Sequence, residues 1–174
     1  GNDRPHMRIS DADDLMLRRL ISLKEYVDFK LTLVLNVCGP VDLRDYEKDL
    51  DAIWCVFLPG MEGAHALADL MLGKKTPSGK LPITFPKRYE DTPTFLNFPG
   101  EGYEVNYGEG IYVGYRYYDK KKVTPAYPFG YGLSYTTFNI EHCKTDKDEF
   151  DGDLKVSLTV TNTGNFPGAE VIQL

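Results

Sequence analysis

Four glutamates of this 174-residue chain are candidates for acid–base chemistry. Glu101, Glu104 and Glu109 lie in a segment rich in aromatic residues, and Glu62 follows Pro59-Gly60 at the predicted start of a helix. A helix N-terminus stabilises the ionised form of a carboxyl group, which is the wrong direction for a general acid. We therefore interpret Glu62 as a helix-start residue, and Glu109 is the best remaining candidate for a catalytic or substrate-binding carboxylate.

The histidines and cysteines indicate no metal or cofactor. The three histidines and three cysteines have no partners at metal-ligand spacing, and an odd cysteine count makes no disulfide framework. Gly100-Glu101-Gly102 follows no strand and opens no helix, so it does not predict a phosphate-binding loop. Cys38 and Cys55 lie in apolar runs, which predicts buried, unreactive thiols and favours a reducing, cytoplasmic compartment.

The composition is that of an ordinary globular protein, with 42% hydrophobic and 26% charged residues. A net charge of −6 argues against a nucleic-acid partner, because binding to phosphates needs clustered lysines and arginines. No apolar run reaches the roughly 18 to 20 residues that span a bilayer. We therefore expect neither a nucleic acid nor a membrane as partner.

Two helices and two buried strands predict an open α/β sheet. Residues 11–27 carry apolar side chains at helical spacing, after a serine that can cap the first turn. Residues 31–37 and 52–58 are nearly continuous apolar runs, typical of parallel strands buried on both faces. A second helix is predicted over residues 62–72, with Gly73 as its C-cap. This order predicts part of an open sheet with helices on both faces, an αβα sandwich.

The following segment, residues 81–138, is rich in Pro, Gly and Tyr and has only short candidate strands, at 81–85 and 111–118. Nine of the twelve tyrosines fall between Tyr103 and Tyr135. Aromatic rings can stack on sugars, but we interpret this cluster as the core of a loop-rich segment.

The last part of the chain predicts β structure. Residues 154–162 alternate strictly between apolar and polar, and residues 169–174 open another strand. A β-sandwich needs about seven strands, so this part predicts an incomplete antiparallel β-sandwich. We therefore divide the chain into an α/β domain, residues 1–138, and a truncated β domain, residues 139–174.

An ordered set of turn-rich, apolar-flanked motifs covers nearly the whole chain. They are Pro40-Val41-Asp42, Pro59–Gly63, Pro77–Pro82, Tyr107–Tyr118, Pro128–Thr136, and Val160–Asn165 with Gly168–Val171. In this order they resemble the C-terminal α/β sandwich domain of glycoside hydrolase family 3, the β-glucosidase and β-xylosidase family, followed by the start of its fibronectin type III-like domain.

The resemblance implies a retaining, exo-acting β-glycosidase that hydrolyses terminal β-linked sugars, with β-glucosides as the expected substrates. In that family a (β/α)8 barrel supplies an aspartate nucleophile. The following domain supplies a glutamate as acid/base, in many members within a Gly-Glu-Gly-aromatic-Asp-Arg segment. Gly1-Asn2-Asp3-Arg4 resembles the end of that segment, with Asn2 where an aromatic residue is common. The resemblance thus places the acid/base immediately before Gly1, and Asp3 and Arg4 beside it, where they would orient its loop through an ion pair and contact substrate. The alternative for Asp3 and Arg4 is an ordinary charge pair near the end of the chain.

A retaining glycosidase needs two carboxyl groups about 5 to 5.5 Å apart. Because neither would lie in this chain, we expect an isolated fragment that walls the cleft next to the acid/base and is inactive alone. The expected partners are a β-linked oligosaccharide or aryl glucoside, and an N-terminal barrel domain in the same or another chain. Two alternatives stay open: a non-catalytic carbohydrate-binding or scaffolding module, and an independent enzyme built on Glu109 or Glu62.

Overall fold

The computed structural model describes Arg4 and residues 6–174, which form two compact units. The first unit comprises the described chain up to Ala64 together with Leu81–Tyr131. The second comprises His65–Lys80 together with Gly132–Leu174. The division into domains 1–138 and 139–174 stays a prediction.

The first helix, α1, spans Asp11–Leu23 and begins where the sequence predicts. Ser10 is its N-cap, and the Ser10 hydroxyl accepts a hydrogen bond from the Asp13 amide at 3.2 Å. The predicted end at residue 27 is wrong. The amides of Lys24, Glu25 and Tyr26 each bond to the carbonyl three residues back, and such tight turns end the α-helix.

A two-stranded parallel sheet lies in the first unit. Strand β1 spans Thr32–Leu35 and strand β2 spans Ala52–Cys55, with each residue of β1 opposite its counterpart in β2. The parallel pairing after a helix confirms the predicted α/β class. Both strands are shorter than the apolar runs that predicted them.

The prediction of a buried thiol fails for Cys38. This residue follows the end of β1, in the connecting loop, and is exposed. Cys55 is the last residue of β2 and is half-buried, and this burial raises the pKa of its thiol. The apolar run around Cys38 therefore continues beyond the strand into a loop.

One hydrophobic core packs α1 against the sheet and the loop that follows β1. Its buried members are Leu17, Leu31, Leu35, Val41, Leu43 and Tyr46. The Tyr46 hydroxyl donates to the Asp14 carboxylate of α1, and this bond, followed by those from Arg18, lowers the pKa of Asp14. The hydroxyl of Tyr46, a buried residue of this core, therefore has a hydrogen-bond partner, as is usual for buried polar groups.

Two further helices follow. Helix α2 spans Gly63–Met71, and Gly73 just beyond it has a φ of +71°, in agreement with the predicted C-cap. Helix α3 spans Tyr115–Lys121, where the sequence predicted a strand over residues 111–118. That prediction is wrong because Gly114 has a φ of +62°, which interrupts an extended chain and starts the helix.

The irregular segment of the first unit is held by a few backbone contacts. The Leu81 amide donates to the Tyr131 carbonyl at 2.8 Å, and Phe85 and Tyr127 form an isolated antiparallel bridge. The strand predicted in this stretch is reduced to that bridge. The Tyr127 hydroxyl donates to the Glu47 carboxylate at 2.8 Å, and burial together with this carboxylate raises the pKa of Tyr127.

The tyrosine cluster does not form a buried core, contrary to our interpretation of the sequence. Tyr118 is buried, whereas Tyr103 and Tyr107 are among the most exposed large side chains. Tight turns separate these residues, so the chain has no regular period that would direct the rings to one side.

The second unit contains an antiparallel pair, strand β3 at Phe138–Thr145 and strand β4 at Val156–Asn162. Strand β4 confirms the alternating pattern. Strand β3 was not predicted from the sequence. A register shift near His142, which has a φ of +55°, interrupts the alternation of its side chains between the two faces. The strand predicted over residues 169–174 is not formed, since no described strand pairs with it.

Asp51, next to the start of β2, joins three parts of the first unit. Its carboxylate accepts hydrogen bonds from the ammonium groups of Lys24 at 2.8 Å and Lys30 at 3.0 Å, and from the Leu31 amide at 2.8 Å. The Lys24 bond, followed by those from Leu31 and Lys30, holds the pKa of Asp51 well below its usual value. Asp51 thereby fixes the end of α1 beside the start of the sheet.

Replacing Asp51 by Asn should lower the melting temperature by a few degrees near neutral pH, because the amide keeps the shape but loses the charge. The folded-state pKa of Asp51 is lowered, so its contribution is complete above the ordinary Asp pKa of about 3.9 and declines as the pH falls below it. The difference between the wild type and the variant should therefore shrink between about pH 4 and pH 2.

The control is Asp45→Asn, since the Asp45 side chain is 71% exposed and its removal should change little. Thermal melts followed by circular dichroism would make the comparison. A deficit for Asp51→Asn that stays the same at both pH values would contradict the role of the charge.

Candidate functional site

The segment that precedes α1 is fixed to the loop that follows β1. The Arg4 guanidinium donates from Nη2 to the Pro40 carbonyl at 2.9 Å, and the Asp42 amide donates to the Met7 carbonyl at 2.8 Å. This loop leaves the carboxyl end of a parallel strand, where open α/β sheets place their ligands. Asp3, the other residue predicted here, lies outside the described residues.

Asp42 and Arg44 stiffen the same loop. Arg44 donates from Nε to Asp42 Oδ1 at 2.9 Å and from Nη2 to Oδ2 at 2.6 Å. The side-chain bonds from Arg44 hold the pKa of Asp42 below its usual value, although partial burial opposes this. A carboxylate held ionised in this way is a poor proton donor at neutral pH, so Asp42 serves the shape of the loop.

A groove of about 610 Å³ opens beside Arg4 in the first unit. Four aromatic side chains lie in its wall, Tyr89, Tyr115, Tyr118 and Phe129, together with prolines and other apolar residues. The rings of Tyr115 and Phe129 are stacked, with centroids 5.1 Å apart and planes 16° apart. Burial raises the pKa of Tyr118 to about 12, so its hydroxyl stays protonated at neutral pH.

The lining of the groove restricts its chemistry. Among its described lining residues there is no Asp, Glu or His, and Arg4 is the one charged side chain. The groove can therefore accommodate an apolar ring or an apolar segment, but it holds no pair of groups for acid–base catalysis. No group of three or more potential ligands among the described residues could hold a metal ion, and none of the helices described is long and apolar enough to cross a membrane.

The other candidate carboxylates lie away from this groove. Glu109 is half-buried, and its carbonyl accepts a hydrogen bond from the Tyr112 amide at 2.9 Å in a turn. Glu62 is exposed and directly precedes α2. Neither residue lines the groove with Arg4. The site roles of Asp3, Arg4 and Glu109 stay predictions.

In the second unit, one lysine joins three of the sequence motifs. Lys80 Nζ lies 3.1 Å from Glu170 Oε1 and donates to the Gly132 carbonyl at 2.8 Å. The side chains of Lys80 and Glu170 are each 16% exposed. A hydrogen bond from the Val171 amide and, to a smaller extent, the Lys80 ammonium lower the pKa of Glu170. The motifs that contain Lys80, Gly132 and Glu170 thus meet at one ion pair.

The motifs of the second unit also approach each other too closely for side chains. A Cβ at Gly132 would lie 2.4 Å from the Gly79 carbonyl oxygen, and a Cβ at Gly164 would lie 2.3 Å from the Thr136 hydroxyl. Thr136 is buried, and its hydroxyl donates to the Asn162 side-chain oxygen at 2.7 Å. These motifs therefore form a packed and hydrogen-bonded structure.

Sequence reasoning did not identify the pairing of Lys80 with Glu170. A signal was present, because each is the one charged residue in a motif of turn-forming and apolar residues. A charge retained in such a setting indicates a partner.

Comparison with known proteins identifies the same family as the sequence motifs. The family model described as "Glycosyl hydrolase family 3 C-terminal domain" matches residues 1–135. Two curated relatives are the probable beta-glucosidase I of Emericella nidulans and the thermostable beta-glucosidase B of Acetivibrio thermocellus. Each is 40% identical over 100% of this chain, which covers 21% of the first and 23% of the second.

A solved structure of beta-glucosidase 3B from Thermotoga neapolitana matches with a TM-score of 0.83 and 38% identity. The match covers 97% of this chain and 24% of that one. The chain therefore spans between a fifth and a quarter of the length of these relatives. These matches confirm the predicted resemblance and fold class.

Replacing Lys80 by Met should lower the free energy of unfolding by about 2 kcal/mol, because the variant leaves a partly buried carboxylate and a carbonyl without their charged donor. Urea unfolding would measure the loss. Lys75→Met is the matched control, since Lys75 lies in the same connection but is exposed. Equal losses in the two variants would contradict the role of the ion pair.

Proposed function

Because the chain belongs to glycosyl hydrolase family 3, we propose that it is part of a retaining, exo-acting β-glucosidase that hydrolyses terminal β-linked glucosides. The observation that carries the proposal is its 40% identity, over its whole length, to proteins named as β-glucosidases. In such an enzyme the chain forms the wall of the cleft next to the acid/base, and an oligosaccharide or aryl glucoside is the substrate. A barrel domain, in the same or a separate polypeptide, supplies the nucleophile.

The chain's own contribution is positional. Retaining hydrolysis needs one carboxyl group as nucleophile and a second as acid/base, about 5 to 5.5 Å apart. The groove beside Arg4 has no carboxylate among its described lining residues. We therefore expect no hydrolysis by the 174 residues alone.

Arg4 acts in this proposal as a positioning residue. We place the acid/base immediately before Gly1, a few residues from the hydrogen bond between Arg4 and the Pro40 carbonyl. That bond and the one between Asp42 and Met7 fasten the segment to the loop that follows β1. A loop fastened in this way holds a proton donor in one place relative to the leaving oxygen.

The aromatic groove favours one alternative, a module that binds rings without catalysis. Titration of the chain alone with cellobiose and with an aryl glucoside, followed by tyrosine fluorescence, separates the two functions. Tight binding by the lone chain supports the alternative module, and weak or undetectable binding supports a part that needs the rest of the enzyme.

The proposal predicts that residues 1–174 can replace the matching part of the Acetivibrio thermocellus relative. The hybrid enzyme should hydrolyse nitrophenyl β-glucoside, whereas the 174-residue chain alone should not. The control is the same relative with its matching part deleted, which should be inactive. A hybrid that melts cooperatively but has no activity on β-glucosides would contradict the proposed function, and so would turnover by the lone chain.

Arg4→Met in the hybrid should change the dependence of the rate on the leaving group. A displaced proton donor slows substrates whose leaving group needs protonation, and spares those whose leaving group departs as a stable anion. We expect kcat/KM to fall roughly tenfold or more for methyl β-glucoside and less than about twofold for dinitrophenyl β-glucoside.

Arg19→Met is the matched control, because Arg19 is exposed on α1 and does not line the groove. It should leave the rates for both substrates unchanged. An equal loss on both substrates in Arg4→Met would indicate a merely structural role for Arg4 and would overturn its assignment.

A further inference from the structure

Helix α1 carries a row of exposed side chains on the side that faces away from the core. Its inner side places Leu17 in the core, with Leu20 and Ile21 packed against it. Residues spaced four positions apart form one row along the opposite side of the helix. We define this outer row as Asp11, Leu15, Arg19 and Leu23, all of them exposed. We propose that the outer row docks against the outer row of a second copy of this chain, with the two helices antiparallel.

The outer row and its flanks are apolar on a side of the helix that the sheet does not cover. Leu15 is 52% exposed and Leu23 is 49% exposed, and Met16 and Tyr26 beside them are also exposed. Further strands of an open sheet would extend sideways from β1 and β2, so they would lie under the helix layer and not over it. Exposed apolar side chains grouped in this way mark an interaction surface.

The two charged members of the outer row have no ionic partner within the described part of the chain. Neither Asp11 nor Arg19 forms an ion pair with another described residue, whereas the neighbouring Arg18 pairs with Asp14 at 2.8 Å. Asp11 and Arg19 are eight residues apart, which is about 12 Å along a helix axis. They are therefore too far apart to pair with each other on one helix.

A second, antiparallel copy brings these two charges together. When a two-fold axis passes beside Leu15, Asp11 of one helix lies opposite Arg19 of the other, and symmetry forms the same ion pair a second time. The two Leu15 side chains then meet at the axis. A two-fold interface requires a surface that is complementary to itself, and an acidic and a basic residue at equal distances from one leucine satisfy this requirement.

The length of α1 limits the strength of this association. A helix of 13 residues is about 20 Å long, so the contact buries less than the roughly 800 Å² per partner of a standard interface. Ion pairs at an exposed rim add specificity more than affinity. We therefore expect a weak dimer, populated at roughly 100 μM chain and above.

Charge reversal tests the pairing. Sedimentation velocity over a series of concentrations should show that the wild-type chain dimerises, and that Asp11→Arg and Arg19→Asp each weaken the dimer at least about fivefold, because like charges then face each other. A mixture of the two single variants should associate like the wild type, and so should the double variant that carries both changes. The controls are Asp153→Arg and Lys75→Asp, which reverse exposed charges in the second unit and should change nothing.

Two results of this series would overturn the inference. One is a wild-type chain that stays monomeric over the whole range of concentrations. The other is an association that is equally strong in all variants, which would assign it to another surface of the chain. Failure of the mixture and of the double variant to restore a dimer that both single variants had lost would also contradict the pairing of Asp11 with Arg19.

A substitution at the centre of the row applies when a charge-reversed chain does not fold. Leu15→Asp places two carboxylates at the axis and should weaken the dimer at least about tenfold. Leu58→Asp is the matched control, since Leu58 is 73% exposed in the same unit. Equal dimerisation of both variants would contradict the role of the outer row.

The hybrid enzyme distinguishes a second copy from the rest of the enzyme as the partner of α1. The docking does not depend on catalysis, and the hybrid should dimerise with the same response to Leu15→Asp whether or not it hydrolyses glucosides. A folded hybrid that stays monomeric at concentrations where the isolated chain dimerises would assign the outer row to the rest of the enzyme and would overturn the inference.

Discussion

A lysine ammonium that is largely withdrawn from water has to find oxygen ligands, and Lys80 finds them in two distant parts of the chain. Withdrawal of a charge from water costs several kcal/mol unless paired and hydrogen-bonded groups offset it. Here the Glu170 carboxylate and the Gly132 carbonyl take that role, the latter 52 positions away in sequence. Arrangements that separate these residues leave the ammonium and the carboxylate unpaired. The ion pair therefore selects one packing of these motifs.

The first unit uses the same principle on a carboxylate and on a guanidinium. Asp51 gathers two lysines and a backbone amide at the point where α1, β1 and β2 come together. Arg4 reaches a carbonyl of the loop after β1 and fixes the segment in front of α1. In each case a charged group holds backbone in place, and none of these groups is arranged to react. These charged groups therefore contribute by holding segments of the backbone in position.

The sequence could predict the structural features that depend on residues close to one another along the chain. Periodicity and capping correctly indicated α1, the parallel strands and β4, and the order of motifs indicated the family. It could not predict α3, because one glycine at position 114 overrides the strand propensity of its aromatic neighbours. The sequence also could not predict the hydrogen bond between Arg4 and Pro40. Every residue has a backbone carbonyl, so the residue type does not identify the acceptor. The exposure of Tyr103 and Tyr107 also depends on turns that periodicity does not describe.

The segment in front of α1 suits one strict demand of the enzyme that we propose. Two carboxyl groups about 5 to 5.5 Å apart tolerate little displacement, because a misplacement of about 1 Å can cost two orders of magnitude in rate. The segment near the proposed position of the acid/base is accordingly tied to the loop that follows β1 by directional hydrogen bonds. The motifs that identify the family therefore hold the structure in its geometry. This role explains why they do not resemble a set of catalytic residues.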